Sequence, residues 1–384
     1  MKRLLLLTSG LLVLFGCSKS EQAAEPEGEK IAVAFTLPGI GAEVVSSDCL
    51  TGTRAGEADE DVEIVPLDEQ VTLRVVVYRR KGTNADIAND TYVTDATYVT
   101  VKEDEHVVLK PCAIASDGTV TVKESELMQL RFGTYDFYAA TPALALDADH
   151  RKVVVNHGVD YATSLTGAVE VKLQPGGGTQ QIELANLERK CSRLHFSISR
   201  AHQNIAKAAI NSVKLGKMTK SPATALLHAA ITTGDNTGEY QFPTGTFAEL
   251  NETSKFLSAG ADEVLPKSKA AFELALNVAF NDGDPQDLKA TVPEIAFVPG
   301  VEYCFNLRLN GDMLELRLQV LPWNEVPEWN TEVGNPGSAI IIIVGSWEIA
   351  GWNTSFGGQF TPVISTDSWT ERSWDADGVG RPKA

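Results

Sequence analysis

The sequence predicts an all-β protein: two β-sandwich domains in tandem, with only a few short helices. Three observations carry this. Apolar residues alternate with polar or small ones over many short runs, the period of a half-buried strand. Glycine, proline and asparagine punctuate those runs at short intervals. Stretches with helical spacing are scarce.

The elements follow in chain order. Ile31, Val33, Phe35 and Leu37 alternate with Ala32, Ala34 and Thr36, and Pro38, Gly39 and Gly41 end the run. A loose segment leads through Arg54 into Ala55-Gly56-Glu57-Ala58-Asp59-Glu60-Asp61, an acidic, glycine-bearing loop of the kind proteases cut. Val71, Leu73, Val75 and Val77 share the next face, and the run stops at Tyr78-Arg79-Arg80-Lys81-Gly82. Further strands are expected at 91–101, 106–109, 135–140, 153–155, 169–173 and 181–184. Gln174-Pro175-Gly176-Gly177-Gly178 reads as a hairpin loop. It lacks the Lys-Ser/Thr and the helix of a phosphate cradle.

Near residue 188 the pattern restarts. Leu194, Phe196 and Ile198 alternate, with His195 on the opposite, exposed face. Residues 210–215 read as a strand and 222–230 as a short helix. Phe272, Leu274, Leu276, Val278 and Phe280 give a long alternation. Pro299-Gly300 opens a hairpin: Tyr303, Phe305, Leu307 and Leu309 lead into Asn310-Gly311, a favoured type I′ pair. Leu314, Leu316, Leu318 and Val320 return to Pro322-Trp323. The tail holds Trp329, Trp347, Trp352, Trp369 and Trp374, so all six tryptophans lie at or beyond residue 323. After the Gly334, Pro336, Gly337 linker, Ile340-Ile341-Ile342-Ile343-Val344 is an unbroken apolar run that needs a cover on both faces or a groove to fill.

At the other end, Lys2 and Arg3 precede a short apolar stretch closing at Leu14-Phe15-Gly16-Cys17. This resembles a lipobox, with Cys17 carrying a lipid once the signal is cut. The stretch falls short of the ~20 apolar residues of a membrane span. With 43% apolar residues the 384-residue chain can bury real cores. A net charge of −18 argues against nucleic acid and against docking on anionic lipid. Beyond Cys17, the cysteines at 49, 112, 191 and 304 fit no zinc spacing; disulfides and buried thiols both remain open.

No Gly-x-Ser-x-Gly, His-Glu-x-x-His or Cys-x-x-Cys motif stands in the chain, so neither an enzyme nor a cofactor is expected. Asp147, Asp149 and His150 read as a solvated turn. Asn281-Asp282-Gly283-Asp284 lacks the spacing and the twelfth-position Glu of a calcium loop.

In this order, several features resemble the fimbrillin family, subunits of the type V pilus. They are the lipobox at Cys17, the strand Ile31–Leu37, Arg54 before an acidic segment, the strand from Val71 to Tyr78, and the hairpin from Pro299-Gly300 to Pro322-Trp323. The run from Phe132 to Ala140 also fits. The resemblance implies transthyretin-like, Greek-key sandwiches and a lipoprotein precursor at the outer membrane, surface-exposed. It implies a cut by an arginine-specific protease between Arg54 and Ala55, removing the strand that carries Ile31, Val33, Phe35 and Leu37. A neighbouring subunit's strand then fills the groove. The candidate donor residues are Ile340, Ile341, Ile342, Ile343, Val344, Trp347 and Ile349; an internal strand of the same domain is the alternative. The expected organisation is a signal at 1–17, tether and removable strand at 18–54, sandwiches at 55–187 and 188–330, and a Trp-rich extension at 331–384. Expected partners are other fimbrial subunits, as homopolymer, tip or anchor, the protease, and a host or bacterial surface ligand, with the membrane reached through the lipid. A glycan-binding surface lipoprotein and a non-polymerising anchor or tip subunit are the alternative functions.

Overall fold

The computed structural model describes residues 29–37, 39–42, 63–103, 106–200, 207–242, 256–310 and 313–322, and five short strands between 339 and 382. The first half contributes β1 Lys30–Thr36, β2 Ile40–Ala42, β3 Glu63–Val65, β4 Thr72–Arg79, β5 Thr91–Glu103, β6 His106–Ile114, β7 Val120–Val122, β8 Met128–Arg131, β9 Gly133–Thr141, β10 Lys152–Val155, β11 Ala162–Val171, β12 Gln180–Glu183 and β13 Leu187–Arg189. The second contributes β14 Ser192–Arg200, β15 Ala208–Met218, β16 Ala223–Leu226, β17 Gly238–Gln241, β18 Phe256–Val264, β19 Lys267–Phe280, β20 Gln286–Phe297, β21 Val301–Asn310 and β22 Met313–Pro322. The tail adds β23 Ala339–Gly345, β24 Glu348–Ile349, β25 Val363–Ser365, β26 Arg372–Trp374 and β27 Gly380–Pro382.

In the first half a nine-stranded sheet, ordered β3-β2-β13-β11-β9-β4-β5-β6-β7, stands over a three-stranded sheet, β12-β1-β8. In the second half the sheets are β18-β14-β21-β22-β23-β25 and β17-β15-β19-β20-β24. Each pair encloses a core built from alternate residues. Leu73, Val75, Val77, Tyr98, Phe137 and Leu187 belong to the first, and Phe196, Val213, Leu274, Val278, Phe297 and Phe305 to the second.

β4 is buried on both faces. Leu73, Val75 and Val77 enter the first core, while Val76 and Tyr78 enter a third cluster with Tyr138, Val153, Val155, Ala225, Leu227 and Leu265. That third cluster joins the halves, because β10 pairs antiparallel with β16 from Lys152↔Leu226 to Val155↔Ala223. A buried ion pair locks β4 to β9. The Arg80 guanidinium meets Asp136 at 2.5 Å and 3.0 Å, and the fully buried Asp136 carboxylate also accepts the Ala168 N–H, at 2.8 Å, in the β11 bulge.

Three sequence expectations are corrected. No helix occurs among the described residues, and the helix expected at 222–230 is β16 and a turn. Its alternate residues Ala225 and Leu227 are buried, and ladder pairing to β10 outweighs its weak helical preference. The Gly176-Gly177-Gly178 loop turns with positive φ, 85°, 73° and 109°, but it joins β11 to β12 in different sheets and is not a hairpin. His195 is not on an open face: its side chain is 12% exposed on an inner strand, β14, beside Glu302 of the neighbouring β21.

Candidate functional site

The site of interest is the place held by β1. Its residues alternate as the sequence requires: Ile31, Val33 and Phe35 are 5%, 0% and 2% exposed, Ala32 and Ala34 are half-buried, and Lys30 and Thr36 face solvent. Leu37 packs partly buried against the same core. Each half of β1 has its own neighbour. Lys30 to Val33 pair antiparallel with Arg131 to Met128 of β8, and Val33 to Thr36 pair parallel with Gln180 to Glu183 of β12. β1 is therefore an inner strand whose sequence neighbours supply neither flank.

The groove floor is aromatic. Phe35 meets Tyr98 edge-on at 5.3 Å and Phe137 at 5.5 Å. The Tyr98 hydroxyl is buried with no partner, and burial pushes its pKa up. Beyond Thr36 the chain crosses to the facing sheet. The Thr36 carbonyl accepts the Leu184 N–H at 2.8 Å, and the Gly39 carbonyl accepts that of Leu187 at 3.0 Å. A Cβ on Gly39 would lie 2.4 Å from the Val65 carbonyl oxygen, so only glycine passes there. β2 then runs parallel to β13 and antiparallel to β3, with Ile40 only 5% exposed. Among the described residues β3 has β2 as its only ladder neighbour.

One short segment thus inserts into both layers of the first half. Burying Ile31, Val33, Phe35 and Ile40 at roughly 1.5–3 kcal/mol each gives a gross gain of roughly 6–12 kcal/mol, an upper estimate because the unfolded chain already hides part of that surface.

The other predicted positions fall as follows. Cys17, Arg54, Ala55 and Trp347 lie outside the described residues. Ile340 to Val344 lie in β23, which runs antiparallel to β22 from Val320↔Ala339 to Leu314↔Gly345 and also pairs with β25. Ile349 lies in β24, opposite Leu288 of β20. Sequence reasoning missed β2 and β8. Their signals, a lone Ile40 after Pro-Gly and the Met128/Leu130 alternation, span only three and four residues.

The remaining polar candidates are structural. Asp147 accepts the backbone N–H groups of Arg151 and Lys152 at 2.8 and 3.0 Å, and His150 stacks on Tyr92 at 3.9 Å. Asn281 and Asp282 form the β19–β20 turn, with Lys207 donating to Asp282 at 2.5 Å. Among the described residues no group of His, Cys, Asp or Glu gathers as a metal site. Cys112 and Cys191 are free, buried thiols. His195 lies 4.0 Å from Glu302; burial first, and the Arg193 charge second, lower its pKa to about 4.

Paired sheets closed over apolar cores define an all-β protein of the sandwich class. The chain belongs to the fimbrillin-like family, whose match covers residues 30–333. Membership implies a fimbrial subunit, working at the cell surface alongside other fimbrial subunits. No curated protein matches the chain. Among solved structures, it resembles a proposed cell adhesion protein from Bacteroides fragilis at 16% identity and TM-score 0.56, covering 80% of this chain and all of that one. A proposed cell adhesion protein from Bacteroides uniformis aligns at 15% identity and TM-score 0.48, covering 77% of this chain and 98% of that one. The C-terminally truncated tip fimbrial protein Mfa3 from Porphyromonas gingivalis aligns at 10% identity and TM-score 0.38, covering 67% and 95%. At these identities the first likeness speaks for the fold alone, and the last two carry no argument.

Proposed function

We propose that the chain is a polymerising fimbrial subunit for cell adhesion, exported as a lipoprotein on Cys17. An arginine-specific protease cuts it after Arg54, and it polymerises by strand exchange at the place of β1. The observation that carries this reading is the seat of β1 between β8 and β12. Its removal leaves unpaired main-chain groups beside apolar pockets, and a strand from another subunit satisfies both. Arg54 suits the cut because it lies in the connection between β2 and β3, so cleavage frees β1 and β2 together. Its rivals are worse substrates: Arg79 ends β4, and Arg80 is held by Asp136.

The test is an Arg54→Ala precursor treated with an arginine-specific protease. It is expected to remain full-length and monomeric, whereas the parent loses its first segment and forms polymers. Normal polymers from the variant would refute the maturation step.

A second reading is a tip or anchor subunit that donates no strand. The observation favouring it is β23, which in this chain lies against its own β22 and β25. Deleting residues 335–384 separates the two. A donor loses polymer growth and stays folded, while a chain that needs β23 for its own sheet loses cooperative melting.

A further inference from the structure

A pocket unconnected with the seat of β1 lies at the joint between the halves. Its floor is the ribbon of β10 and β16. Val153, Val155 and Ala225 turn into the third core cluster. Lys152 and Val154, opposite Leu226 and Thr224, therefore lie on the other face of the ribbon. That face opens into a cavity of about 440 Å³, lined among others by Lys152, Lys220, Pro222, Thr224, Leu226 and Thr232. Among the described residues no Asp or Glu lines it.

The walls are fixed before any ligand arrives. The His157 ring accepts the Leu265 N–H at Nδ1, and its Nε2 donates to the Thr219 carbonyl at 3.0 Å. Thr219 Oγ1 donates in turn to the Pro266 carbonyl. The Leu227 N–H donates to the Arg151 carbonyl at 3.0 Å, which ties the far end of the ribbon.

The two lysines set the charge of the cavity. The chain carries 51 acidic against 33 basic residues, and Lys110, Lys172, Lys190 and Lys207 each hold a carboxylate at 2.5–2.8 Å. Among the described residues Lys152 and Lys220 form no ion pair. Asp147, the carboxylate whose charge acts with that of Lys152, spends Oδ1 on the backbone N–H groups of Arg151 and Lys152.

We propose that this pocket binds a sugar acid, a pyranose ring bearing a carboxylate, as a unit of a surface glycan. The carboxylate goes to Lys152 and Lys220, the ring hydroxyls to Thr224 and Thr232, and the C–H face of the ring to Pro222 and Leu226. The volume falls in the range of roughly 300–1,000 Å³ typical of ligand pockets, far more than a bare phosphate fills. A net charge of −18 repels a polyanion. Screening beyond about 8–10 Å leaves the lysines to decide the fate of a single carboxylate in contact with them. The proposal takes its ligand's source from the adhesion function proposed above and does not need strand exchange, because the uncut precursor carries the whole pocket.

The test is a saturation-transfer NMR titration of the uncut, full-length precursor with glucuronate, N-acetylneuraminate and glucose at low salt, with inorganic phosphate as competitor. At least one sugar acid is expected to bind about ten-fold more tightly than glucose, the worth of one charge-assisted contact, and to resist displacement by an equal concentration of phosphate. The double variant Lys152→Glu, Lys220→Glu is expected to lose that preference. Gly234 also lines the cavity, and a Cβ there meets no atom within 4 Å. Gly234→Trp is therefore expected to weaken binding with the melting temperature unchanged. Polymer growth after the protease cut is expected to be normal in both variants, so loss of ligand and loss of strand exchange are read separately. The proposal is overturned if neither sugar acid binds, if glucose binds as tightly, or if phosphate displaces the sugar acid at equal concentration. Parent-like binding by both variants would place the site elsewhere and overturn it too.

Discussion

The two halves of the molecule bury similar aliphatic and aromatic cores but complete them differently. In the second half β14, β15, β19, β20 and β21, all between residues 192 and 310, supply nearly all the described core. In the first half Ile31, Val33, Phe35 and Ile40 reach the core from a segment separated from β3 by about twenty residues that include Arg54. The described part of the second core comes from one stretch of chain; the first is closed by a piece that a single cut would detach. The difference teaches that a strand can be essential to a fold and still be replaceable, provided its partners lie elsewhere in sequence and its side chains form a simple alternation.

The largest expected effect separates the halves directly. Phe35→Ala and Phe305→Ala each remove a buried ring and should each cost the precursor about 3–5 kcal/mol. In the matured polymer the Phe305→Ala cost should persist and the Phe35→Ala cost should vanish, because that residue is gone. Denaturant melts of precursor and polymer check both arms. A Phe35→Ala penalty that survives maturation would break the comparison.

A smaller effect belongs to the second half alone. His195 sits neutral among Arg193, Glu263 and Glu302, with its pKa lowered to about 4 from 6.5. Unfolded chain takes up the proton below about 6.5 and the folded chain does not, so stability falls as pH drops from about 6.5 towards 4, by on the order of 2 kcal/mol. His195→Gln should flatten that slope relative to the parent; an unchanged slope would contradict the assignment.

The smallest effect lies in the groove floor. The Tyr98 hydroxyl is buried without a partner beside Phe35, so Tyr98→Phe should stabilise the precursor by about 1 kcal/mol. A lower melting temperature would mean that the hydroxyl is satisfied.

How much of this was legible in the sequence follows from strand length and ladder partners. Long alternations such as Phe272 to Phe280 and Val71 to Val77 announced β19 and β4, and the Ile31–Leu37 alternation announced β1. The flanks of β1 were less visible. β8 offers only Met128 and Leu130, and β12 pairs with a strand some 150 residues away, a relation that no local period records. His195 was misread because alternation gives the face but not the neighbours: on an inner strand the side chains of adjacent strands, here Glu302 of β21, shield it. The helix expected at 222–230 was lost to pairing with β10, a contact between the halves.

The central claim is that β1 leaves and another copy's strand takes its seat. Native mass spectrometry of short polymers grown from cut precursor tests it most directly. The expected result is subunits beginning at Ala55, with residues 18–54 absent both as part of the chain and as a bound fragment. Polymers whose subunits retain residues 30–42, covalently or held in the groove, would contradict it.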